Sequence, residues 1–298
     1  MPVNDNLGKR MKEFYEQVPK TRLVRRMPVA IRIDGKAFHT FTRGFQKPFD
    51  EILIKTMQET TKYLCENIQG CVLGYTQSDE ITLILVDYQK LTSSAWFDYE
   101  VQKLCSISAS MATMAFNKYF AENVANEILE YKTSMVPQYV EIQQEIKEYH
   151  DTLRAAANKG AMFDARCFNI PKEEVTNLIY WRQLDATRNS IQMVGQTNFS
   201  HKELQNKTCN MIQDMLHEQK GINWNDYSTV CKRGTAIIKK TITKEQSFID
   251  DMIEYSFNNS KNSVVTQTTE WIIDTEMPIL KGEGREYVDK LINVGEGM

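Results

Sequence analysis

Two acidic turns carry the most reactive chemistry this sequence offers. Asp34-Gly35 ends the β-branched run 29–33, and Ser78-Asp79-Glu80 lies in the polar connection between the apolar runs 71–75 and 81–86. Each tripeptide or dipeptide alone is an ordinary turn signal. Brought to one sheet edge, the two carboxylates repel each other unless a cation lies between them. Carboxylates at neighbouring strand ends suit magnesium, which prefers hard oxygen ligands and is completed by phosphate oxygens. Two such ions, about 3.5–4 Å apart, activate an attacking hydroxyl and stabilise a leaving pyrophosphate. Glu80 is either a third ligand or a group that orients the others.

Other candidates lie close in the chain. Lys47, stiffened by Pro48, follows the first strand closely enough to reach the same edge, where its ammonium group neutralises a triphosphate or stays in solvent. His39, between Phe38 and Phe41, contacts a phosphate or stacks on a base, or else is a satisfied structural histidine. Lys103, one turn into a later helix, faces the phosphates or only water.

The elements that would position these groups follow from periodicity. Residues 29–33 form a strand, preceded by a charged helical lead-in. Asp50 caps a helix on which Leu53, Met57, Thr61, Leu64 and Ile68 recur, and Gly70 ends it. A hairpin follows, then a helix with Val101, Leu104, Ser108, Met111, Ala115 and Tyr119 on one face, then a strand over 165–170 stopped by Pro171. The order strand, helix, strand, strand, helix, strand predicts an α+β fold with a ferredoxin-like βαββαβ core. A right-handed crossover leaves the third strand between the first and second, antiparallel to both, which sets Asp34 beside Asp79.

The rest of the chain is less specific. Ile142, Ile146, Tyr149 and Leu153 make a helical stripe in a charged insertion over 127–160, read as a packing or subunit face. A helix is expected over 172–195, and the capping box at Ser200 and Glu203 predicts another running to about Gln219. Residues 235–242 and 271–273 read as short strand pieces. The expected division is a catalytic core over 1–200 and a C-terminal extension of helices and short strands over 201–298.

Composition bounds the function. With 36 Lys plus Arg against 39 Asp plus Glu, the 298 residues carry a formal charge of −3, which excludes binding of nucleic acid by bulk positive charge. Local clusters remain at Lys20, Arg22, Arg25 and Arg26, and at Lys232, Arg233, Lys239 and Lys240. The six cysteines show no Cys-x-x-Cys spacing and the four histidines no His-x-x-x-His pair, so reduced thiols are expected rather than disulfides or zinc. No stretch reaches the length of a membrane helix, and the expected location is cytoplasmic.

The ordered set Ile31-Arg32-Ile33-Asp34-Gly35, Phe38-His39, Lys47-Pro48 with Asp50, Gln77-Ser78-Asp79-Glu80 and Trp181-Arg182-Gln183 with Asp185 resembles the tRNA-His guanylyltransferase superfamily over about residues 25–200, with an echo at Lys232-Arg233-Gly234-Thr235. That resemblance implies a palm like those of polymerases and nucleotidyl cyclases, two magnesium ions, and addition of nucleotides to the 5′ end of tRNA. It implies Asp34, Asp79 and the Gly35 carbonyl as metal ligands, Ser78 and Lys47 on the triphosphate, and Asp50 near the base of an activating nucleotide. His39 and Lys103 match nucleotide-binding positions, and Arg188, Asn189, Lys232 and Arg233 are candidate RNA contacts. ATP would adenylylate the tRNA 5′ phosphate, and the 3′ hydroxyl of GTP or another nucleoside triphosphate would then attack it. A homotetramer is implied as well.

One stretch departs from the family. Where enzymes acting on tRNA-His carry His-Ile-Asn-Asn-Leu-Tyr-Asn, this chain has Thr187-Arg188-Asn189-Ser190-Ile191-Gln192-Met193, keeping only Asn189. The sequence is therefore more similar to the guanylyltransferase-like proteins that repair 5′-truncated tRNAs by templated addition. Single-guanosine addition to tRNA-His, a nucleotidyl cyclase and a catalytically silent RNA-binding protein are the alternatives.

Overall fold

The computed structural model describes residues 6–134, 140–247 and 263–293, with side chains described outside 132–143 and 243–266. After α1 (Asn6–Met11), which continues as a wider turn over Lys12–Glu16, the chain forms β1 (Val29–Gly35), α2 (Phe38–Phe41), α3 (Glu51–Asn67), β2 (Cys71–Gln77), β3 (Glu80–Leu85), α4 (Val101–Ser134), α5 (Val140–Lys159) and β4 (Phe163–Asn169). It continues through α6 (Lys172–Asn198), α7 (His201–Leu204), α8 (Cys209–Lys220), α9 (Thr229–Arg233), β5 (Thr235–Ser247), β6 (Ser263–Asp274) and α10 (Glu286–Ile292).

The strands make one antiparallel sheet in the order β4-β1-β3-β2-β5-β6. β3 thus lies between β1 and β2, as the crossover through α3 requires. Asp34 pairs with Glu80 on β3 and with Asp164 on β4, and the Gly35 amide donates to the Asp79 carbonyl at 3.1 Å. Register alone therefore brings the two acidic turns to one edge.

Both faces of the sheet are covered, so the central strands read as nearly continuous apolar runs. Alternate residues Ile31, Ile33, Leu83 and Leu85 pack with Met57 and Leu64 of α3 and Phe116 and Phe120 of α4. Ala30 and Ile84 point the other way, onto Val175 and Ile179 of α6 and Val288 and Ile292 of α10. Complete burial of such aliphatic or aromatic side chains contributes about 1.5–3 kcal/mol each. α3 starts where Asp50 Oδ1 accepts from the Leu53 amide at 2.9 Å. Gly70, at φ +80°, turns the chain from α3 into β2.

Several elements differ from the periodicity reading. The buried face of α4 runs through Leu104, Ser108, Ala112, Ala115, Phe116 and Phe120, whereas Tyr119 is only half-buried, because the two phenylalanines claim the space over the sheet. On α5, Leu153 is fully buried and Tyr149 partly, while Ile142 lies outside the residues whose side chains are described. The Ser200 capping box forms, but its helix ends at Leu204; Asn206 takes φ +60°, and Thr208 caps a separate α8. The short C-terminal strand pieces are two long strands. Only the start of β5, over 235–238, pairs with β2; beyond it β5 and β6 pair with each other as a ribbon. The Lys- and Thr-rich sequence carries no regular apolar alternation there, which is why it concealed the length of the strands.

Candidate active site

Asp34 and Asp79 face a common cleft of about 460 Å³, together with Gly35, His39, Lys47 and Ser78. Asp79 occupies the second position of a two-residue hairpin turn whose first residue, Ser78, has φ +51°. That tight turn projects the carboxyl over the end of β1. Gly35 is required by close approach: a Cβ there would lie 2.2 Å from the Phe38 ring.

The two carboxyls are only weakly compensated. No ion pair of either is found among the described residues, and the Ser78 hydroxyl donates to Asp79 Oδ1 at 3.1 Å. Burial pushes the Asp79 carboxyl up to about 6, against hydrogen bonds from its own amide and Ser78 that pull it down, with Asp34 and Glu80 raising it further. Asp34 is also raised, first by burial and then by Glu80 and Asp164, with Arg166 and Arg32 opposing. Among the described residues no group of three or more His, Cys, Asp or Glu side chains is gathered as a closed metal cage. Two under-compensated carboxylates beside the Gly35 carbonyl instead fit an open site for a hard divalent cation, finished by a ligand's phosphate oxygens.

The loop over 36–48 is anchored from below. Phe38, Phe41 and Phe45 insert into a cluster with Phe116, Phe120 and Phe163, with ring centroids 5.1 Å apart for Phe38–Phe41 and 5.8 Å for Phe45–Phe120. Such pairs add about 0.5–1.5 kcal/mol beyond area burial. The alternation leaves His39 and Lys47 exposed on the cleft side. Asp50 lines the cleft, but its carboxylate is committed to structure. Oδ1 caps α3, while Oδ2 accepts from the Gln46 amide at 3.0 Å and from the Tyr149 hydroxyl of α5 at 2.8 Å.

Glu80, one residue from Asp79, is held quite differently. Arg32 reaches Oε1 at 3.2 Å, while Arg182 at 3.3 Å and the Gln77 amide at 3.0 Å reach Oε2. Arg182 also pairs with Asp185, and Asp185 with Arg188. Both carboxylate oxygens of Glu80 are thus engaged by protein groups. The Trp181-Arg182-Gln183 motif is scaffolding too: Trp181 stacks under the Arg182 guanidinium at 4.2 Å, and Gln183 bonds the Pro278 carbonyl at 2.9 Å and the Leu280 amide at 3.0 Å.

Some expected residues are not brought to the cleft. Lys103 sits near the start of α4, where Val101 bonds Thr21 at 2.9 Å, Cys105 meets Cys167, and its own ammonium lies over the Phe97 ring at 5.6 Å. Cys167 pairs with Ile31, three residues up β1 from Asp34, so α4 starts toward the far end of that strand. Lys232 binds the Asn225 carbonyl, and Tyr75 bonds the Arg233 carbonyl at 2.6 Å. Arg22 and Arg25 both pair with Asp98, Arg26 bonds the Asp87 carbonyl at 2.9 Å, and Lys240 pairs with Asp274 at 3.4 Å, so both basic clusters are partly spent inside the protein. Asn189 lines a small recess of about 90 Å³ that shares Asp50, Leu53, Ser78 and Met193 with the main cleft. Sequence reasoning missed Tyr149, whose only signal was its place in the α5 stripe, and the scaffold role of Arg182.

All six cysteines are free thiols, and no helix among the described residues is long and apolar enough to cross a membrane.

Comparison with known proteins gives a consistent result. The model of the tRNA-His guanylyltransferase family matches residues 8–171, more than half of the chain. An uncharacterized protein, R259, of Acanthamoeba polyphaga mimivirus is 29% identical over 276 residues, covering 89% of this chain and 84% of its own. The tRNA(His) guanylyltransferase of Saccharomyces cerevisiae is 25% identical over 226 residues, covering 71% and 82%. A solved bacterial tRNA(His) guanylyltransferase-like protein in complex with ATP superposes with a TM-score of 0.72 at 37% identity, over 97% of this chain and 100% of that one. A GTP complex gives a TM-score of 0.67 at the same 37% identity, over 97% and 99%. The chain therefore belongs to the tRNA-His guanylyltransferase family, whose members are nucleotidyltransferases that act at the 5′ end of tRNA.

Proposed function

We propose that this chain adds templated nucleotides in the 3′-to-5′ direction to 5′-truncated tRNAs, rather than one guanosine to tRNA-His. The observation that carries the reading is the pair of under-compensated carboxylates, Asp34 and Asp79, on a cleft shared with Lys47 and Ser78. The strand order β4-β1-β3-β2 with α3 and α4 on one face supports a palm-like core. The repair reading draws on the Thr187–Met193 departure and on the 37% identity to a guanylyltransferase-like protein, against 22% to the solved yeast guanylyltransferase. That neighbour's complexes with ATP and GTP support nucleoside triphosphates as substrates.

Magnesium held by Asp34, Asp79 and the Gly35 carbonyl would supply charge neutralisation and a more acidic attacking hydroxyl. Lys47 and Ser78 bind the triphosphate, His39 faces its outer end, and Glu80 fixes the hairpin that aims Asp79. With no covalent protein intermediate, catalysis consists of positioning and electrostatics. The assembly we infer is a homotetramer, because the acceptor and anticodon ends of one tRNA are too far apart for one small subunit.

Purified protein, magnesium, ATP and a 5′-monophosphorylated tRNA lacking its first nucleotide should give templated 5′ extension when each further nucleoside triphosphate is supplied separately. Guanosine addition confined to tRNA-His would replace this reading with the dedicated guanylyltransferase. A product made without RNA would point to a cyclase, and no product, with wild type equal to Asp79→Ala, to a silent binder.

A further inference from the structure

A second cleft, of about 610 Å³, adjoins the first and shares Lys47 with it. Its walls are the last turns of α6 and the interruption between α7 and α8, where Asn206 adopts φ +60° and exposes Gln205 and Lys207. The lining contains two lysines, His201, four side-chain amides and an apolar floor that includes Phe199, and no carboxylate, in a chain whose net charge is −3.

The amides on α6 sort themselves by use. Asn177, Gln183, Asn189 and Asn198 each bond another protein group. Gln192 and Gln196, one turn apart and both exposed, have no protein hydrogen-bond partner among the described residues, and both line this cleft. Primary amides offer a donor and an acceptor side by side, the pattern that matches the edge of an unpaired base. Cations at the rim suit a phosphodiester, and no carboxylate lines the cleft to repel it.

The geometry points to this cleft as a subsite for an unpaired ribonucleotide of the RNA substrate, from the single-stranded 3′ tail opposite the growing 5′ end, read by Gln192 and Gln196 and held through phosphate by Lys207. The assignment rests on the proposed reaction, since continuity through Lys47 is what places RNA there. It makes α6 beyond Asn189 a substrate-positioning surface.

The test measures binding of 5′-truncated tRNA, with and without its single-stranded 3′ tail, by fluorescence anisotropy, to wild type, to Gln192→Ala/Gln196→Ala and to Lys207→Glu. Removing the tail should weaken wild-type binding about tenfold, the size of one base contact, and should change binding to the double variant less than twofold. Lys207→Glu should weaken tailed RNA and flatten its salt dependence. Equal tail dependence in wild type and double variant would overturn the inference. So would loss of free nucleoside triphosphate binding in the double variant with its tail dependence unchanged, which would mark a site for free nucleotide. Pyrophosphate release from ATP on 5′-monophosphorylated tRNA, measured in parallel, reports on the proposed reaction by itself. Its absence in wild type would fault that reading, while the anisotropy still decides the subsite.

Discussion

Asp79 and Glu80 are adjacent in sequence and opposite in circumstance. Glu80 is gripped by two guanidiniums and an amide, whereas among the described residues Asp79 has a hydroxyl and its own backbone, and its carboxyl is pushed up to about 6 by burial and by Asp34. A carboxylate already neutralised by arginine has little left for a cation; one held near another carboxylate without a counter-ion is poised to take one. The fold thus spends one acid on rigidity and leaves its neighbour uncompensated.

The largest expected effect lies on the uncompensated side. Asp34→Asn or Asp79→Asn should lower extension activity by roughly a thousandfold or more, the equivalent of several kcal/mol of lost metal-assisted stabilisation, while melting no earlier than wild type. Glu80→Gln should cost about 10–100-fold, as expected of a group that orients a ligand, and should retain metal binding. If Glu80→Gln matched Asp79→Asn in both activity and metal affinity, the contrast between the two acids would collapse.

Stability should show the reverse ranking. Arg182 is 4% exposed, so Arg182→Ala strands the carboxylates of Glu80 and Asp185. The expected loss, read by chemical denaturation, is about 3 kcal/mol, the lower end for breaking a buried ion pair, because Arg32 and Arg188 remain. A loss below that of an average surface substitution would show that the cluster is not a scaffold. Tyr149→Phe removes one hydrogen bond to Asp50 and should cost about 1.5 kcal/mol. Through the Gln46 and Lys47 loop it should also raise KM for the nucleoside triphosphate with kcat little changed.

The smallest effect is in pH. Without metal, folded Asp79 keeps its proton up to about pH 6, while the unfolded chain releases it near 3.8, so the folded state binds more protons between those values and stability falls as pH rises through that window. Asp79→Asn lacks this loss. In EDTA the melting temperature of the variant should exceed that of wild type by a margin that opens between about pH 4 and 6; a constant margin would mean the carboxyl is not raised.

The geometry around the two acidic turns was readable in the sequence because its signals are local. β-branched runs ending in Asp34-Gly35, the Asp50 cap, and a two-residue acidic turn specify strands, helix and register, and register then joins Asp34 to Asp79. What stayed hidden depends on distant partners. Asp50 read as a ligand contact, yet the hydroxyl that claims its second oxygen comes from Tyr149, 99 residues away. Lys103 matched a family position, but where α4 starts along the sheet is decided by packing of Leu104, Phe116 and Phe120 against strands from distant parts of the chain. The break at Asn206 left no turn residue strong enough to overrule a capping box, and the Lys- and Thr-rich strands β5 and β6 carry no regular apolar alternation for a pattern to record.

Calorimetric titration of manganese into wild type and into Asp79→Asn and Glu80→Gln, each with a non-hydrolysable nucleoside triphosphate present, tests the central claim most directly. The carboxylate pair as described predicts metal uptake by wild type and by Glu80→Gln and its loss in Asp79→Asn. Equal uptake by wild type and Asp79→Asn would contradict it.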